Sequence, residues 1–306
     1  MARSIYRFFP ALILGIAVVA LGLNHAEAHA QSGAAQAITL SPASSEFVIN
    51  PGASDGKSVD IINNGTDSFN VELSVSPYHV TGENYDPKFT QLPGTVDPSS
   101  WIKLSSTDES VGPSKVLTVP YTINVPKGTA PGGYYAVIFA ETTSDASKTG
   151  VISHNRVGNI LYITVDGDIK SGGNVTGDGL PFLHFMGPVS IGTKVSNSGG
   201  THFVTKAKYT VTNNSGKTVF SSSTERYILP QTEREFKTNW TPQTLFNIYT
   251  VHRSATVAGV EKKLPDQKIV VVNPWLLIGI AFLLGILIGV PLQRARQRSR
   301  SHKKGK

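Results

Sequence analysis

SKVLTVPYTINVPKGTAPGGYYAVIFAE, residues 114–141, contains two strand patterns joined by a turn, and it is the strongest indication of the fold. Its first half places five apolar side chains on one face at a spacing of two, the period of a half-buried strand: Leu117, Val119, Tyr121, Ile123 and Val125. Its second half, 134–141, is apolar on both faces, which predicts a central strand. Because Pro120 has no N–H to donate, we expect the first strand to keep one open edge.

The segment between these two strands carries a glycine spacing that deserves a test. Gly128 and Gly133 match the G-x-x-x-x-G of a phosphate-binding loop. Such a loop continues with Lys and Ser or Thr, and it opens a helix whose N-terminus faces the phosphate. Here Tyr134 and Tyr135 follow, and they open a strand. The segment is therefore predicted to be a turn, and no nucleotide is expected.

The same alternation continues on both sides of this stretch. Short alternating runs separated by Gly, Pro, Asn and Ser clusters are typical of β-sandwiches. We place one immunoglobulin-like sandwich at 37–168, a Gly-rich linker at 169–179 and a second such sandwich at 180–272. With one C-terminal transmembrane helix at 274–292, the predicted fold class is all-β, with two tandem immunoglobulin-like β-sandwiches.

Turn residues mark where the strands end. Asn-Gly within 63–65 supplies the positive φ that a tight hairpin favours, so we predict a hairpin there. Two further clusters, at 197–200 and 213–216, bracket a predicted strand at 203–211.

Both ends of the chain carry apolar runs. Residues 1–30 have the layout of a secretory signal peptide, with a positive start, an uncharged run at 8–23 and small-residue cleavage sites after Ala28 and Ala30. We favour cleavage after Ala30, and an uncleaved anchor is the alternative. The uncharged run at 274–292 is long enough to cross a hydrocarbon core of about 30 Å.

The residues around the C-terminal run predict its orientation. The tail at 293–306 is basic, and Lys and Arg beside a span stay in the cytoplasm. We therefore expect a single-pass cell-membrane protein with extracellular N-terminal domains and a cytoplasmic tail, partnered by the lipid bilayer. Gly285 and Gly289 give the run a G-x-x-x-G spacing that lets two helices approach, so self-association through the helix is a further hypothesis.

Charge and cysteine content exclude some classes of protein. The chain has 28 Lys and Arg, 21 Asp and Glu, and no Cys. Residues 1–30 and 293–306 hold nine of the basic residues and one acidic residue, which leaves 19 basic and 20 acidic residues between them. The net positive charge thus belongs to the ends, and no nucleic-acid partner is expected. An exported sandwich without disulfides fits a bacterial surface protein better than a vertebrate receptor.

Several of these motifs together resemble a known family. The Trp-Ile at 101–102, the Val-Pro at 125–126 and the Gly-Tyr-Tyr at 133–135 are similar to the first extracellular domain of bacterial WxL-interacting proteins, and more distantly to pilus-chaperone-like sandwiches. Residues 195–220 and 228–240 resemble that family's second module. The resemblance implies a first domain that binds peptidoglycan or surface proteins and a second that binds host proteins. It carries over no individual contact residue.

The residues that usually carry chemistry are scattered. Five histidines between the two apolar ends lie at no metal-ligand spacing: His79, His154, His184, His202 and His252. The Asp-Gly-Asp at 166–168 lacks the further acids of a calcium loop, and no G-x-S-x-G elbow is present. We therefore predict no catalytic residue, cofactor or metal site, and a protein that is not an enzyme.

Aromatic residues give the remaining indication of a site. Tyr78, Tyr85 and Phe89 flank or lie within a long polar stretch at 81–98, and Tyr is a favoured contact residue. The alternative is that these rings form a small core of the loop itself. Two tryptophans are predicted to lie in the cores and the third at a membrane interface: Trp101 and Trp240, and Trp275.

The sequence therefore favours a membrane-anchored bacterial cell-surface binding or adhesion protein. Its sandwiches would bind an envelope polymer such as peptidoglycan, or a surface or host protein, through loops or a strand edge. The alternative is a chaperone-like or structural assembly factor for exported surface subunits.

Overall fold

The computed structural model describes residues 38–303 except 83, 144–154 and 186, with side chains described as far as Leu292. The predicted signal peptide at 1–30 and His154 lie outside these residues. Within them the chain is built from strands, one short 3-10 turn and one helix. The all-β prediction is confirmed.

The first sandwich has two facing sheets and a small hairpin. Its strands are β1 (Ile38–Ser41), β2 (Ser44–Ile49), β3 (Ser54–Asn63), β4 (Phe69–Pro77), β5 (His79–Thr81), β6 (Asp86–Lys88), β7 (Ile102–Leu104), β8 (Asp108–Val111), β9 (Val116–Asn124), β10 (Gly132–Thr143) and β11 (Arg156–Val165). One sheet has the order β1-β3-β9-β7 and the other β2-β11-β10-β4-β8, while β5 and β6 pair with each other. A 3-10 helix, Pro98–Trp101, leads into β7.

Residues 114–141 form β9 and most of β10, which lie in opposite sheets. The predicted inward face of β9 is confirmed, with Val119, Tyr121, Ile123 and Val125 buried in the shared core. β10 pairs with β11 on one side and β4 on the other and buries both of its faces, as predicted for a central strand. The turn between them therefore carries the chain across the core.

The open edge predicted from Pro120 is short. β9 lies between β3 and β7, but β7 pairs only with 121–123 of β9. The Ser105 N–H donates to the Pro120 carbonyl just beyond the end of β7. Among the described strands, none pairs with residues 116–119 on that side.

The second sandwich also has two sheets. Its strands are β12 (Gly173–Thr176), β13 (Leu183–Phe185), β14 (Val189–Asn197), β15 (Phe203–Asn213), β16 (Thr218–Ile228), β17 (Thr232–Trp240), β18 (Phe246–Val257), β19 (Val260–Lys263) and β20 (Gln267–Val272). The smaller sheet has the order β12-β14-β17, and the larger β13-β20-β18-β15-β16 with β19 paired to β18. The core between them includes Tyr209, Trp240 and Tyr249.

The Gly-rich segment at 169–179 is not only a linker, because it contains β12, which pairs with β14. Val175 of β12 is buried in the second core. A Cβ on Gly173 would overlap the Ser196 carbonyl oxygen, so glycine here permits a close approach of two backbones. The glycines that predicted a linker thus allow an edge strand to pack closely against its neighbour.

The hairpin predicted at 63–65 is wrong, because β3 and β4 belong to different sheets. The Asn63 Nδ2 donates to the carbonyls of Asp67, Val111 and Gly112, and its Oδ1 accepts from the Gly65 N–H. A buried side chain therefore replaces the missing hairpin bonds at this crossover. The turn cluster predicted at 213–216 is confirmed, and it joins β15 to its antiparallel neighbour β16.

The helix α1 (Pro274–Lys303) follows β20 directly. The Asn273 Oδ1 accepts the Trp275 N–H, which satisfies one of the free donors of the first turn. Residues Pro274–Leu292 form a stretch long and apolar enough to cross a membrane, and it is not buried against the sandwiches.

Candidate functional site

A cluster of aromatic and apolar side chains joins the two sandwiches. We call it the junction cluster: Tyr78, Val80, Tyr85, Tyr162 and Leu229, with Tyr135, Ile160 and Tyr227 packed against them. Leu229 and Tyr227 come from the second sandwich and the others from the first. The junction is thus a third, smaller core, and it fixes how the two sandwiches meet.

Tyr85 is the centre of this contact. Its hydroxyl accepts the Leu229 N–H at 2.6 Å and the Thr232 hydroxyl at 3.3 Å, and the Arg234 guanidinium lies 4.3 Å from its ring centroid. Burial raises the pKa of the Tyr85 hydroxyl. Tyr85 adopts φ of 61°, a conformation uncommon for a bulky residue, which the contacts across the junction hold in place.

Of the two roles that the sequence left open for Tyr78 and Tyr85, packing describes both, and Tyr78 also lines the groove described below. Both are buried, and burial raises the pKa of Tyr78 to about 12. Phe89 packs edge-on against Phe139, with ring centroids 4.8 Å apart. The alternative that these rings pack down is nearer the structure, but Tyr85 packs on the second sandwich as well as on its own loop.

Gly133 has a role that the sequence did not show. Its N–H donates to the Gly200 carbonyl of the second sandwich at 2.8 Å. A Cβ here would overlap the Tyr135 hydroxyl and lie 3.1 Å from the Thr201 Cα. The turn predicted between β9 and β10 is present, and its second glycine also allows the two sandwiches to touch through their backbones.

His202, one of the histidines scattered along the sequence, lies inside the junction. Its N–H donates to the Tyr135 hydroxyl at 2.9 Å, and its ring is 4.9 Å from that of Tyr162. Burial lowers the pKa of His202. On the same side, the Tyr227 hydroxyl donates to the Glu46 carboxylate of β2.

An open groove of about 510 Å³ lies beside the junction cluster. Its apolar lining comes from both sandwiches and from the 81–98 loop: Tyr78, Leu92, Val96, Tyr134, Tyr135 and Leu229. Pro98, Pro131 and Pro230 stiffen its rim. Among the described residues that line it there is no Lys, Arg, Asp or Glu. The groove therefore suits an uncharged segment that offers apolar side chains and a few hydrogen bonds.

The chemistry-bearing residues do not converge on this groove. In the described part of the chain, no group of three or more His, Asp or Glu residues could hold a metal ion. Of the predicted histidines, only His79 reaches the lining, and the Asp-Gly-Asp at 166–168 follows the end of β11. The sequence did not reveal the groove, because its walls come from five separate segments.

Three side chains on the second sandwich are linked in the order acid, base and hydroxyl, which is the order of a catalytic triad. The Asp266 carboxylate lies 2.8 Å from His252 Nδ1, and His252 Nε2 lies 3.2 Å from the Thr212 hydroxyl. Thr212 is paired with Thr250 on one side and Thr218 on the other, so its backbone serves the sheet. A nucleophile of this kind also needs donors for an oxyanion, which a paired strand does not present.

No family model matches the chain, and no curated protein matches it. The resemblance to WxL-interacting proteins therefore stays a prediction.

Solved structures similar to the chain include bacterial fimbrial chaperones. The class 5 fimbriae chaperone CfaA has 10% identity and a TM-score of 0.39, covering 77% of this chain and 99% of its own. The E. coli chaperone DraB has 13% identity and a TM-score of 0.37, and the match covers 75% of this chain and 98% of DraB. The match to the CsuC–CsuE chaperone–tip adhesion subunit complex of Acinetobacter baumannii has 11% identity and a TM-score of 0.38, and it covers 78% of this chain and 99% of the matched one. Similarity at this level does not carry a function from those proteins to this chain.

Proposed function

We propose that this chain is a membrane-anchored, chaperone-like binding protein whose groove holds an extended, uncharged segment of an exported surface protein. The observation that supports this is the uncharged groove of about 510 Å³ at a junction fixed by buried aromatic rings. A preformed groove does not have to be ordered when its ligand binds, which lowers the cost of binding.

The groove favours a polypeptide over an ionised envelope polymer. Peptidoglycan carries carboxylates, and the described lining offers no Lys or Arg to meet them. An extended peptide brings side chains for Leu92 and Val96 and backbone groups for Thr90 and Gln91. We therefore favour the assembly-factor alternative over polymer binding, and binding over catalysis.

The anchor is the second part of the proposal. Residues Pro274–Leu292 present apolar side chains all round and are not covered by the sandwiches, so in water they would expose a large apolar surface. We propose that this stretch crosses the cell membrane. The basic tail then stays in the cytoplasm and both sandwiches face outward.

The test measures binding of uncharged and charged 12-residue peptides that tile exported envelope proteins, alongside soluble peptidoglycan fragments. Val96 in the groove is 54% exposed and Val116 on β9 is 58% exposed, so they form a matched pair. We expect Val96→Ser, combined with Leu92→Ser, to weaken binding of uncharged peptides about tenfold, since each loses apolar contact area. Val116→Ser should leave binding unchanged.

Two results would decide against the proposal. If the double variant Leu92→Ser, Val96→Ser and the control Val116→Ser bind peptides equally well, the groove is not the peptide site. If only peptidoglycan fragments bind, and the groove variants weaken that binding, the polymer-binding reading is correct instead.

A further inference from the structure

The outer face of the larger sheet of the second sandwich carries an apolar patch at the end next to α1. We call it the helix-side patch: Leu183, Phe185, Phe246, Ile248, Val270 and Val272. The register brings them into two rows, because Phe185 and Phe246 flank Val272, and Leu183 and Ile248 flank Val270. Directly paired residues point to the same face of a sheet, so the six side chains lie together.

The patch is not part of the core of the second sandwich. The alternate residues Tyr249, Ile269 and Val271 point inward and are buried. On the outer face, Phe185 is 56% exposed and Phe246 is 55% exposed. Contiguous exposed apolar side chains of this size mark interaction surfaces in proteins.

The outer face changes character away from the helix. The next row is Thr250 paired with Lys268, and beyond it the His252 ring lies 2.8 Å from the Asp266 carboxylate. Along β18 and β20 the face is therefore apolar only in the two rows nearest α1. This change from apolar to polar side chains along the strands fits a surface that faces water at one end and an apolar medium at the other.

The position of the patch identifies what covers it. β20 ends at Val272 and α1 begins at Pro274, so Val270 lies about 13 Å from the start of the helix at the usual strand rise. The headgroup layer on each side of a bilayer is roughly 5–8 Å thick. At about 3.3 Å per residue the Val272 row lies roughly 7 Å from Pro274, within that layer. The Val270 row lies beyond the layer on an upright strand and reaches it when the strands tilt towards the bilayer surface, and Lys268 lies outside the layer.

We infer that the helix-side patch rests in the lipid interface, so that the second sandwich sits on the membrane surface. This inference rests on the proposed membrane anchor and adds a lipid-contacting surface to it. It fixes the height of the groove above the bilayer and limits the tilt of the sandwiches. Trp275, exposed at the start of α1, lies at the same level, where aromatic side chains favour the interface.

The absence of native cysteine makes the test direct, because one introduced thiol is the only one that reacts. The full chain carrying Phe246→Cys, labelled with an environment-sensitive fluorophore, is placed in nanodiscs of phosphatidylcholine and phosphatidylglycerol. Lipids with a nitroxide near the headgroup serve as quenchers. Leu183→Cys is a second position, in case one variant folds poorly.

Val260→Cys is the matched control, since Val260 is 64% exposed and lies at the far end of β18 from Phe246. We expect quenching at Phe246 and Leu183 to exceed that at Val260 by about threefold or more, as for side chains in the headgroup region. Equal quenching at the three positions would overturn the inference.

A label at Leu284, within α1, separates this failure from failure of the anchor. Quenching of Leu284→Cys by nitroxides deep in the acyl chains, without quenching of Phe246→Cys, would refute the lipid-contacting patch and leave the anchor standing. An unquenched Leu284→Cys would refute both. Efficient disulfide cross-linking between copies through Phe246→Cys would show that the patch is a dimer face instead.

Discussion

The two sandwiches share a local device and differ in how they treat their outer faces. In each, a buried Asn ends a strand at a crossover between sheets, Asn63 in the first and Asn197 in the second. Each accepts the N–H two residues ahead and donates to the carbonyl four residues ahead. The crossovers are therefore built alike although the surrounding strands differ.

The outer faces are treated differently. In the first sandwich Val137 and Phe139 of β10 point away from the core and are still buried, and Phe89 of the 81–98 loop packs on Phe139. In the second, the helix-side patch has no such cover among the described residues. The apolar outer face of the first sandwich is covered by the protein itself, and that of the second is not. This difference indicates that the uncovered face contacts something other than water.

The largest expected effect comes from removing the shared device. Asn63→Ala and Asn197→Ala should each lower the free energy of unfolding by about 3 kcal/mol, because buried carbonyls lose their donors. Urea unfolding of the full chain in detergent would show this, since Trp101 reports on the first sandwich and Trp240 on the second. Asn64→Ala, at an exposed neighbour, is the control. A loss under 1 kcal/mol at either Asn would show that the side chain does not stabilise that crossover.

Gly133→Ala tests whether the sandwiches act as one unit. The added Cβ meets Tyr135 and Thr201, so we expect a loss of about 2 kcal/mol and separation of one calorimetric transition into two. Gly112→Ala is the control, because its Cβ would find only Lys115 at 3.5 Å. A single transition in Gly133→Ala would show that the junction cluster alone holds the sandwiches together.

Tyr85→Phe removes one hydroxyl from the junction and leaves the ring. The Leu229 N–H then has no acceptor, so we expect a loss of about 1.5 kcal/mol, measured by urea unfolding. Tyr134→Phe should cost much less, because its hydroxyl donates to the exposed Ala130 carbonyl. Equal costs would mean that the Tyr85 hydroxyl does not stabilise the junction.

The smallest effect concerns pH. Burial lowers the pKa of His202 below its usual 6.5, so the unfolded chain binds the proton more readily than the folded one. The contribution of neutral His202 is complete above about pH 6.5 and is lost as pH falls towards the folded pKa. The groups that face it are Glu46, Tyr135, Tyr162 and Tyr227.

Thermal unfolding between pH 7.5 and 5 checks this. His202→Gln should show a shallower decline of Tm with acidification than the unaltered chain. If Tm declines equally steeply in His202→Gln and in the unaltered chain, the acid sensitivity comes from groups outside the junction.

Much of the fold was predictable because local alternation encodes it. The inward face of β9, the two-sided burial of β10 and the turn at 213–216 follow from side-chain period and turn chemistry. The failures have one cause. Asn-Gly at 63–65 predicts a hairpin locally, yet β4 pairs with β10, which is distant in sequence. Gly173 suggested a linker because sequence does not show the strand it approaches.

The all-β class, the apolar C-terminal run and the absence of disulfides follow from the amino-acid sequence, because they depend on period, composition and residue type. The junction, the groove and the helix-side patch depend on how the strands pair and pack. Tyr85 meets Leu229 across 144 positions, and Phe185 and Phe246 come together only through their pairing with Val272. Such surfaces form when strands distant in sequence pair and pack, and no local pattern records which strands those will be.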